Sequence, residues 1–189
     1  IVAAQNLHYE DHGAYTGEIS IPMLKEIGIN WSIIGHSERR QYNGESSLSC
    51  NRKVLAMIAN DMVPVYCCGE TLEEFESGIT KAIVRDQIRI GLAGVDKEKA
   101  KNIVVAYEPI WSIGTGVNAS KEIAEEVCAF IREVLTEMFG SVANEIRILY
   151  GGSVKPENVK DYLSMKDIDG ALVGGASPVS YTHLRAHET

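Results

Sequence analysis

The fold is decided by residues 103–150, which read IVVAYEPIWSIGTGVNASKEIAEEVCAFIREVLTEMFGSVANEIRILY. A short apolar run at 103–107 opens this stretch, and a second apolar run at 146–150 closes it. Between them, from about residue 120 to 139, apolar side chains recur at three- and four-residue spacing, which is typical of a helix with one buried face. A strand, a long helix and another strand in this order predict a βαβ unit with parallel strands.

The same alternation of short apolar runs and longer helical segments repeats along the rest of the chain. The runs expected to be strands are residues 1–4, 30–34, 63–68, 103–107, 146–150 and 170–173. A further helix is expected to begin at Pro156 and to turn Val159, Tyr162 and Leu163 inward. Polar residues and glycines follow the strands, and in a parallel α/β barrel the loops at that end build the active site. An open doubly wound sheet would bind its ligand at the same end, but no GxGxxG follows the first run.

Composition and charge restrict the class of protein. With 189 residues, 45% of them hydrophobic and 23% charged, the chain has the composition of one soluble globular domain. No apolar run approaches the ~18 residues that a membrane span needs, and residues 1–4 lack the features of a signal peptide. We therefore expect a cytoplasmic protein without a membrane partner. A formal net charge of −8 argues against nucleic acid as a partner, because nucleic-acid-binding surfaces are usually basic.

The four cysteines are Cys50, Cys67, Cys68 and Cys128, and no two of them form a CxxC pair. Cys67 and Cys68 are adjacent in an expected strand, where successive side chains point to opposite faces. We therefore expect buried reduced thiols, and neither a disulfide framework nor a zinc site.

Two candidate catalytic side chains follow expected strands directly. Glu108 comes after residues 103–107, a position that suits a general base, although a structural carboxylate paired with a cation is an equally good interpretation. His36 follows residues 30–34 in the same way and suits a proton shuttle or an electrophile, but position alone favours a histidine with only a structural role. Glu38, with Arg39 and Arg40 after it, is compatible with an ordinary surface salt-bridge cluster.

Loops rich in glycine suggest a lid and a phosphate site. Residues 109–116 begin with proline and end with two glycines around an apolar centre, which suits a lid that excludes water; the alternative is an ordinary loop with a buried tryptophan. Gly151-Gly152-Ser153 and Gly174-Gly175 each follow a strand, where backbone N–H groups can bind phosphate. One such pair is more often a tight turn, whereas two in successive units favour a ligand site.

Together these segments resemble the triosephosphate isomerase family from residue 1 to about residue 177. The motifs that carry the resemblance are Ala4-Gln-Asn6, Tyr15-Thr-Gly-Glu18, Ile34-Gly-His-Ser-Glu-Arg-Arg40, Cys68-Gly-Glu70, Ala106-Tyr-Glu-Pro-Ile-Trp-Ser-Ile-Gly-Thr-Gly116, Tyr150-Gly-Gly-Ser-Val154 and Asp169-Gly-Ala-Leu-Val-Gly-Gly175. The resemblance implies a (β/α)8 barrel that interconverts dihydroxyacetone phosphate and D-glyceraldehyde 3-phosphate through an enediolate, in glycolysis and gluconeogenesis. It implies no metal and no organic cofactor.

The resemblance also implies a role for individual residues. Glu108 would be the base, His36 the neutral electrophile and Glu38 a third acid beside a lysine. The lid would consist of Pro109, Ile110, Trp111, Ser112, Ile113, Gly114 and Thr115. Phosphate would be bound by Gly114, Ser153, Gly174 and Gly175, and the closed lid would be latched by Tyr150 and Ser153. The loop that makes the family a homodimer would include Tyr15, Thr16, Gly17 and Glu18.

The sequence departs from the family pattern at both ends. A barrel of this kind has eight strands in about 250 residues, whereas the expected strands here correspond to strands 3 to 8, so the first two βα units and their Asn and Lys are expected to be missing. We expect residues 1–177 to be a partial barrel of one domain and residues 178–189 to be a tail foreign to the family, disordered or artefactual.

These departures leave other functions open. One alternative is an inactive remnant or phosphate-binding pseudo-enzyme that lacks the catalytic lysine, and on this basis the chain alone is expected to be inactive and poorly folded. A third interpretation, another phosphate-binding barrel, would share the glycine pairs but not the Gly35-His36-Ser37-Glu38 segment or the loop after Glu108.

Overall fold

A computed structural model describes residues 1–113 and 118–174. Its strands form one five-stranded sheet in the order β1-β2-β3-β4-β5, and every neighbouring pair is parallel. The strands are β1 (Trp31–Ile34), β2 (Val63–Cys68), β3 (Val104–Tyr107), β4 (Arg147–Tyr150) and β5 (Gly170–Ala171). The helices are α1 (Ile21–Glu26), α2 (Ser37–Asn43), α3 (Ser47–Ala59), α4 (Leu72–Glu76), α5 (Thr80–Gly91), α6 (Lys121–Phe139) and α7 (Val159–Leu163). Short 3-10 helices lie at Ala100–Asn102, Ile110–Ser112 and Gly140–Glu145.

The strand expected at residues 1–4 is only a single bridge, so that prediction was too long. Ala4 pairs in parallel with Ser32 of β1; its N–H donates to Trp31 O, and its own carbonyl accepts from Ile33 N, both at 2.9 Å. Ile1 and Val2 are 97% and 73% exposed. A segment that pairs with a strand on one side only, and whose first apolar side chains are exposed, has few interactions that would extend its pairing beyond one bridge. The last strand is also shorter than expected and ends at Ala171.

The two faces of the sheet carry cores of different size. The larger core lies on the helix side and includes Tyr66, Cys68 and Tyr107. A smaller cluster of Val65, Cys67, Val104 and Ala106 covers the other face. Because side chains alternate along a strand, the adjacent residues Cys67 and Cys68 lie on opposite faces. All four cysteines are buried with free thiols, as the sequence predicts.

Helix α6 confirms the strongest helical prediction, and α7 corrects a weaker one. The Ser120 side chain accepts from Ile123 N at 3.2 Å at the start of α6, and Gly140, with φ of 64°, ends it. Helix α7 begins at Val159 and not at Pro156. The Asn158 side chain accepts from Lys155 N at 2.8 Å and holds residues 156–158 in a turn before the helix.

Only part of the expected inner face of α7 is buried. Tyr162 is 4% exposed, and its hydroxyl donates to Ala119 O at 2.6 Å, whereas Leu163 is 48% exposed. A helix of five residues completes little more than one turn, so it presents few side chains to the core. Within residues 1–113 and 118–174, no helix has the length and apolar character needed to cross a membrane.

Candidate active site

The two candidate catalytic side chains meet at the carboxyl ends of β1 and β3. Glu108 is 2% exposed, and its Oε1 lies 3.0 Å from His36 Nε2. Its Oε2 accepts from the backbone N–H of Ser37 at 3.1 Å. The alternation along β3 places Glu108 on the same face as Val104 and Ala106, above the smaller core. A carboxylate and an imidazole that lie 72 positions apart in the sequence are thus within hydrogen-bonding distance.

The second nitrogen of His36 is also used. His36 precedes α2, and its Nδ1 accepts from the backbone N–H of Glu38 at 3.3 Å. A nitrogen that accepts carries no proton, so this bond favours a neutral imidazole with its proton on Nε2, facing Glu108. The Glu38 carboxylate is largely exposed and lies 3.9 Å from Nδ1. Glu38 therefore orients His36 through its backbone, and its side chain remains only a predicted third acid.

The contact with Glu108 opposes this preference for the neutral ring. The hydrogen bond to Glu108 raises the pKa of His36 above its ordinary value, burial lowers it by less, and the negative charges of Glu108 and Glu38 raise it further. The protonation of His36 in the free protein is therefore coupled to the position of the Glu108 carboxylate.

The substitution Glu108→Gln is expected to lower the pKa of His36, because an amide carries no charge to stabilise the imidazolium. Titration of the His36 ring signals by NMR in both proteins measures this change. The control is Glu137→Gln, which neutralises an exposed carboxylate paired with Arg85 and Arg89 and should leave the His36 titration unchanged. An unchanged His36 titration would show that the contact between Glu108 and His36 is not formed in solution.

The turn after β2 supports both Glu108 and the start of the predicted lid. The carbonyl of Cys68 accepts from Glu108 N at 2.7 Å, and the carbonyl of Glu70 accepts from Ile110 N at 3.0 Å. The Glu70 side chain is fully buried, and its Oε1 accepts from Tyr107 Oη at 3.0 Å and from Trp111 Nε1 at 2.9 Å. Burial raises the pKa of Glu70, and the bonds from Trp111 and Tyr107 oppose that rise.

The described part of the predicted lid is anchored at its first turn. Pro109 precedes the 3-10 helix Ile110–Ser112, and Trp111 stacks on Phe75 with ring centroids 4.4 Å apart. Trp111 is half-buried. This burial agrees with an ordinary loop that contains a buried tryptophan and equally with a lid, so it does not distinguish the two interpretations. Ile113 follows the helix, while Gly114 and Thr115 lie outside the described residues.

The glycine pair after β4 packs against these elements. The N–H of Gly151 donates to Tyr107 O at 2.7 Å, and a Cβ at this position would lie 3.0 Å from Glu108 Cγ. A Cβ at Gly152 would overlap the Tyr150 hydroxyl and lie 2.7 Å from Ser112 Oγ. Ser153 follows, and its carbonyl accepts from the Asn158 side chain at 3.1 Å. Gly152 thus lies between Tyr150, one of the two predicted latch residues, and Ser112 of the predicted lid.

Other predicted residues are not brought to this site by the described contacts. Gly174 is exposed in open space, and Gly175 and residues 178–189 lie outside the described residues. The predicted dimer loop exposes Tyr15, Thr16 and Gly17 and interacts with its own neighbours: the Tyr15 ring lies 4.3 Å from that of His8, and Glu18 N donates to Tyr15 O at 3.0 Å. The phosphate-binding and dimer residues therefore stay predictions.

Arg39 and Arg40 do not form a surface cluster with Glu38. Arg39 pairs with Glu45 at 2.6 Å. Arg40 donates to Gly35 O at 2.9 Å and to Cys67 O at 3.0 Å, and so ties β1 to β2. Within the described residues, no lysine or arginine side chain forms an ion pair with Glu108 or with Glu38.

Several residues with a clear place in this site were given no individual role by the sequence analysis. These residues are Ser37, Gly69, Glu70 and Gln87. The polar pair Gly69-Glu70 directly after a strand was part of the signal for an active site at the strand ends and of the family resemblance, without a role for either residue. Ser37 acts through its backbone and Gln87 from the middle of a helix, so residue type and spacing carried no signal for either.

Comparison with known proteins places this geometry in one family. The family model described as triosephosphate isomerase matches residues 1–185. The triosephosphate isomerase of Carboxydothermus hydrogenoformans is 55% identical over 177 residues, which cover 93% of this chain and 70% of the relative. That of Moorella thermoacetica is 56% identical over 176 residues, or 93% of this chain and 71% of the relative. That of Clostridium perfringens is 52% identical over 180 residues, or 95% and 73%.

Proposed function

Because this chain belongs to the triosephosphate isomerase family, we propose that the protein interconverts dihydroxyacetone phosphate and D-glyceraldehyde 3-phosphate, as a step of glycolysis and gluconeogenesis. The observation that carries the proposal is the buried Glu108 carboxylate, held 3.0 Å from His36 Nε2 at the strand ends. Isomerisation of a hydroxy ketone to a hydroxy aldehyde needs a base beside the reacting carbons and a donor beside the oxygens. Glu108 and His36 are such a pair.

The proposed reaction moves protons and needs no external oxidant. Glu108 removes a proton from the carbon next to the substrate carbonyl, and the electron pair moves to the carbonyl oxygen to give an enediolate. The N–H of His36 stabilises the oxygen that becomes negative. The proton of the adjacent hydroxyl group moves to the oxygen that became negative, Glu108 returns a proton to the former carbonyl carbon, and the former hydroxyl oxygen becomes the new carbonyl oxygen. Substrate and product therefore have the same atoms and electrons. This chemistry requires neither a metal ion nor an organic cofactor.

Binding and water exclusion are assigned to the loops around this pair. We propose that backbone N–H groups at Gly114, Ser153, Gly174 and Gly175 bind the phosphate. Residues 109–115 would close over the substrate and be latched by Tyr150 and Ser153. The close packing of Gly152 against Tyr150 and Ser112 supports the part assigned to Tyr150, because that side chain lies near the start of the proposed lid.

The complete fold is proposed to be an eight-stranded barrel, in which residues 1–177 form one domain with two further βα units. The support is that Ile1, Val2 and Ile27 are individually 97%, 73% and 72% exposed, as expected of apolar side chains that further elements would cover. Those units would also supply an Asn and a Lys to the site. We accordingly propose that residues 1–189 alone turn over little substrate. The protein with those units is proposed to be cytoplasmic and to form a homodimer through residues 15–18.

The reaction is tested by incubating the full-length protein with dihydroxyacetone phosphate in D2O and following the substrate by NMR. We expect glyceraldehyde 3-phosphate to appear and deuterium to enter at the carbon from which Glu108 removes a proton. The pseudo-enzyme alternative predicts phosphate binding with neither product nor exchange. Repeating the measurement with residues 1–189 alone tests whether the additional units are needed.

Deletion of residues 110–114 is expected to increase the fraction of substrate lost to phosphate elimination, because an enediolate exposed to water expels its phosphate. The measurement is inorganic phosphate released per molecule isomerised. A deletion of the exposed residues 96–99, which lie before β3 at the opposite end of that strand from Glu108, is the control for loop shortening as such. An unchanged by-product fraction after deletion of residues 110–114 would remove the lid from the mechanism.

A further inference from the structure

Gln87 binds both backbone groups of a residue beside the proposed base. It lies on α5, and its Oε1 accepts from Gly69 N at 2.8 Å while its Nε2 donates to Gly69 O at 2.9 Å. A primary amide is well suited to this pairing, since it offers one acceptor and a donor side by side. Gly69 thus has both its polar groups satisfied by one side chain from another element.

The peptide group that Gln87 holds is the one that supports Glu108. The N–H of the Cys68–Gly69 peptide donates to Gln87, and the carbonyl of that same peptide accepts from Glu108 N at 2.7 Å. Hydrogen bonds at both ends of one peptide group strengthen each other. Gln87 therefore fixes the orientation of the Cys68–Gly69 peptide group, whose carbonyl binds the backbone N–H of Glu108.

The next peptide group connects Gln87 to the lid. The carbonyl of Gly69 accepts from Gln87, and the chain continues directly into Glu70. Glu70 holds Ile110 through its backbone carbonyl and Trp111 through its carboxylate. A shift of the turn at residues 68–70 would consequently move both the support of the base and the attachment of the lid.

Gln87 is also tied to the segment that carries His36. Its backbone carbonyl accepts from Tyr66 Oη at 2.6 Å, and Arg40 Nη2 donates to Tyr66 Oη at 3.1 Å. Arg40 in turn binds the carbonyl of Gly35, the residue before His36. A continuous series of hydrogen bonds thus joins the backbones that carry the two catalytic side chains.

We propose that Gln87 is a positioning residue that holds the turn at residues 68–70 and thereby keeps the Glu108 carboxylate in place against His36. This inference rests on the proposed isomerase function. A purely structural role would predict only a loss of stability when Gln87 is replaced. A positioning role predicts in addition a lower kcat at nearly constant KM, and a weaker contact between Glu108 and His36.

The test compares Gln87→Met, which keeps the length of the side chain and removes both hydrogen bonds, with Asn51→Leu as the matched control. Asn51 is also a largely buried amide, and its Nδ2 donates to Gly91 O at 3.0 Å and to Ala93 O at 2.8 Å, at the C-terminal end of α5 one turn beyond Gln87. Both variants leave backbone groups unpaired, so both are expected to lower Tm. Only Gln87→Met should lower kcat, by about tenfold or more, with KM within about twofold, because a misplaced base affects the chemical step.

A second readout does not depend on turnover. If the Glu108 carboxylate moves away in Gln87→Met, the pKa of His36 should fall in the direction expected for Glu108→Gln, while in Asn51→Leu it should not. A lower Tm in Gln87→Met with unchanged kcat and unchanged His36 titration would overturn the proposal. If the unsubstituted protein showed no isomerase activity, the proposed function would fail, and the His36 titration would still decide the role of Gln87.

Gln87→Glu covers the case in which Gln87→Met does not fold. A protonated carboxyl group supplies both an acceptor and a donor to Gly69, whereas the ionised group places a second acceptor against Gly69 O. The kcat of this variant relative to the unsubstituted protein should therefore recover as the pH falls. The titratable and charged groups near this position in the described structure include Arg40, through the Tyr66 hydroxyl, the neighbouring Asp86 of α5, and the carboxylates of Glu70 and Glu108, whose backbones adjoin Gly69. A kcat ratio near one at every pH would count against positioning.

Discussion

Replacing Glu108 with glutamine is expected to lower kcat by about a thousandfold, within the usual contribution of a general base, and to change KM by only about twofold. Glutamine has nearly the same shape and can still accept from Ser37 N, as Glu108 Oε2 does at 3.1 Å. It cannot take up a proton from carbon. The loss should therefore appear in the chemical step and leave substrate binding almost intact.

The measurement is steady-state kinetics in both directions, with Glu137→Gln as the control. Glu137 is an exposed carboxylate that pairs with Arg85 and Arg89 on the surface, and its neutralisation should leave kcat unchanged. Circular dichroism and Tm establish that Glu108→Gln is folded. Near-normal turnover in a folded Glu108→Gln protein would remove Glu108 as the base, and the structural-carboxylate interpretation would then stand.

Replacing Gly69 with alanine is expected to cost about 3 kcal/mol of folding free energy or more, at the upper end of the range for overpacked sites. A Cβ at Gly69 would overlap the backbone carbonyl of Glu108, and a backbone atom cannot rotate away as the end of a side chain can. Since a Cβ at Gly69 would lie 1.8 Å from Glu108 O, the turn must shift by about 1 Å or more, and we also expect kcat to fall by about a hundredfold in whatever fraction folds.

Thermal unfolding and kcat together test this expectation, with Gly28→Ala as the control. Gly28 has φ of 78° and open space around it, so its replacement strains the local backbone without any collision. That variant should lose about 1 kcal/mol and keep its kcat. If Gly69→Ala behaved like Gly28→Ala, the turn at residues 68–70 would be free to move, and the basis for a positioning role of Gln87 would be lost.

The sequence predicted those parts of the fold that depend on local patterns. Helix α6 was predicted within one residue because it has a long apolar period and a serine at its start. Glu108 was placed at a strand end by the apolar run before it. Residues 1–4 and Leu163 were predicted wrongly because their neighbours in space, and not their own sequence, decide whether an apolar residue is covered.

The sequence predicted the catalytic side chains of the site, but it did not predict the hydrogen bonds that hold them in place. Glu108 and His36 have chemistry that residue type reveals, whereas the contribution of Ser37 is a backbone N–H that every residue except proline possesses. Arg40 resembled part of a charge cluster, yet it binds carbonyls on two strand ends. Such contacts join residues far apart in the chain, and only the packed structure brings them together.

The adjacent cysteines of β2 provide two intrinsic reporters of how the sheet opens. Cys67 belongs to the smaller cluster and Cys68 to the larger core, and burial raises the pKa of both thiols, so neither reacts readily while its own face is closed. Pulsed alkylation followed by peptide mass spectrometry would therefore distinguish separation of the helices, which exposes Cys68, from loosening of the opposite face, which exposes Cys67. Equal labelling rates for the two neighbours would indicate that the sheet comes apart in one cooperative event.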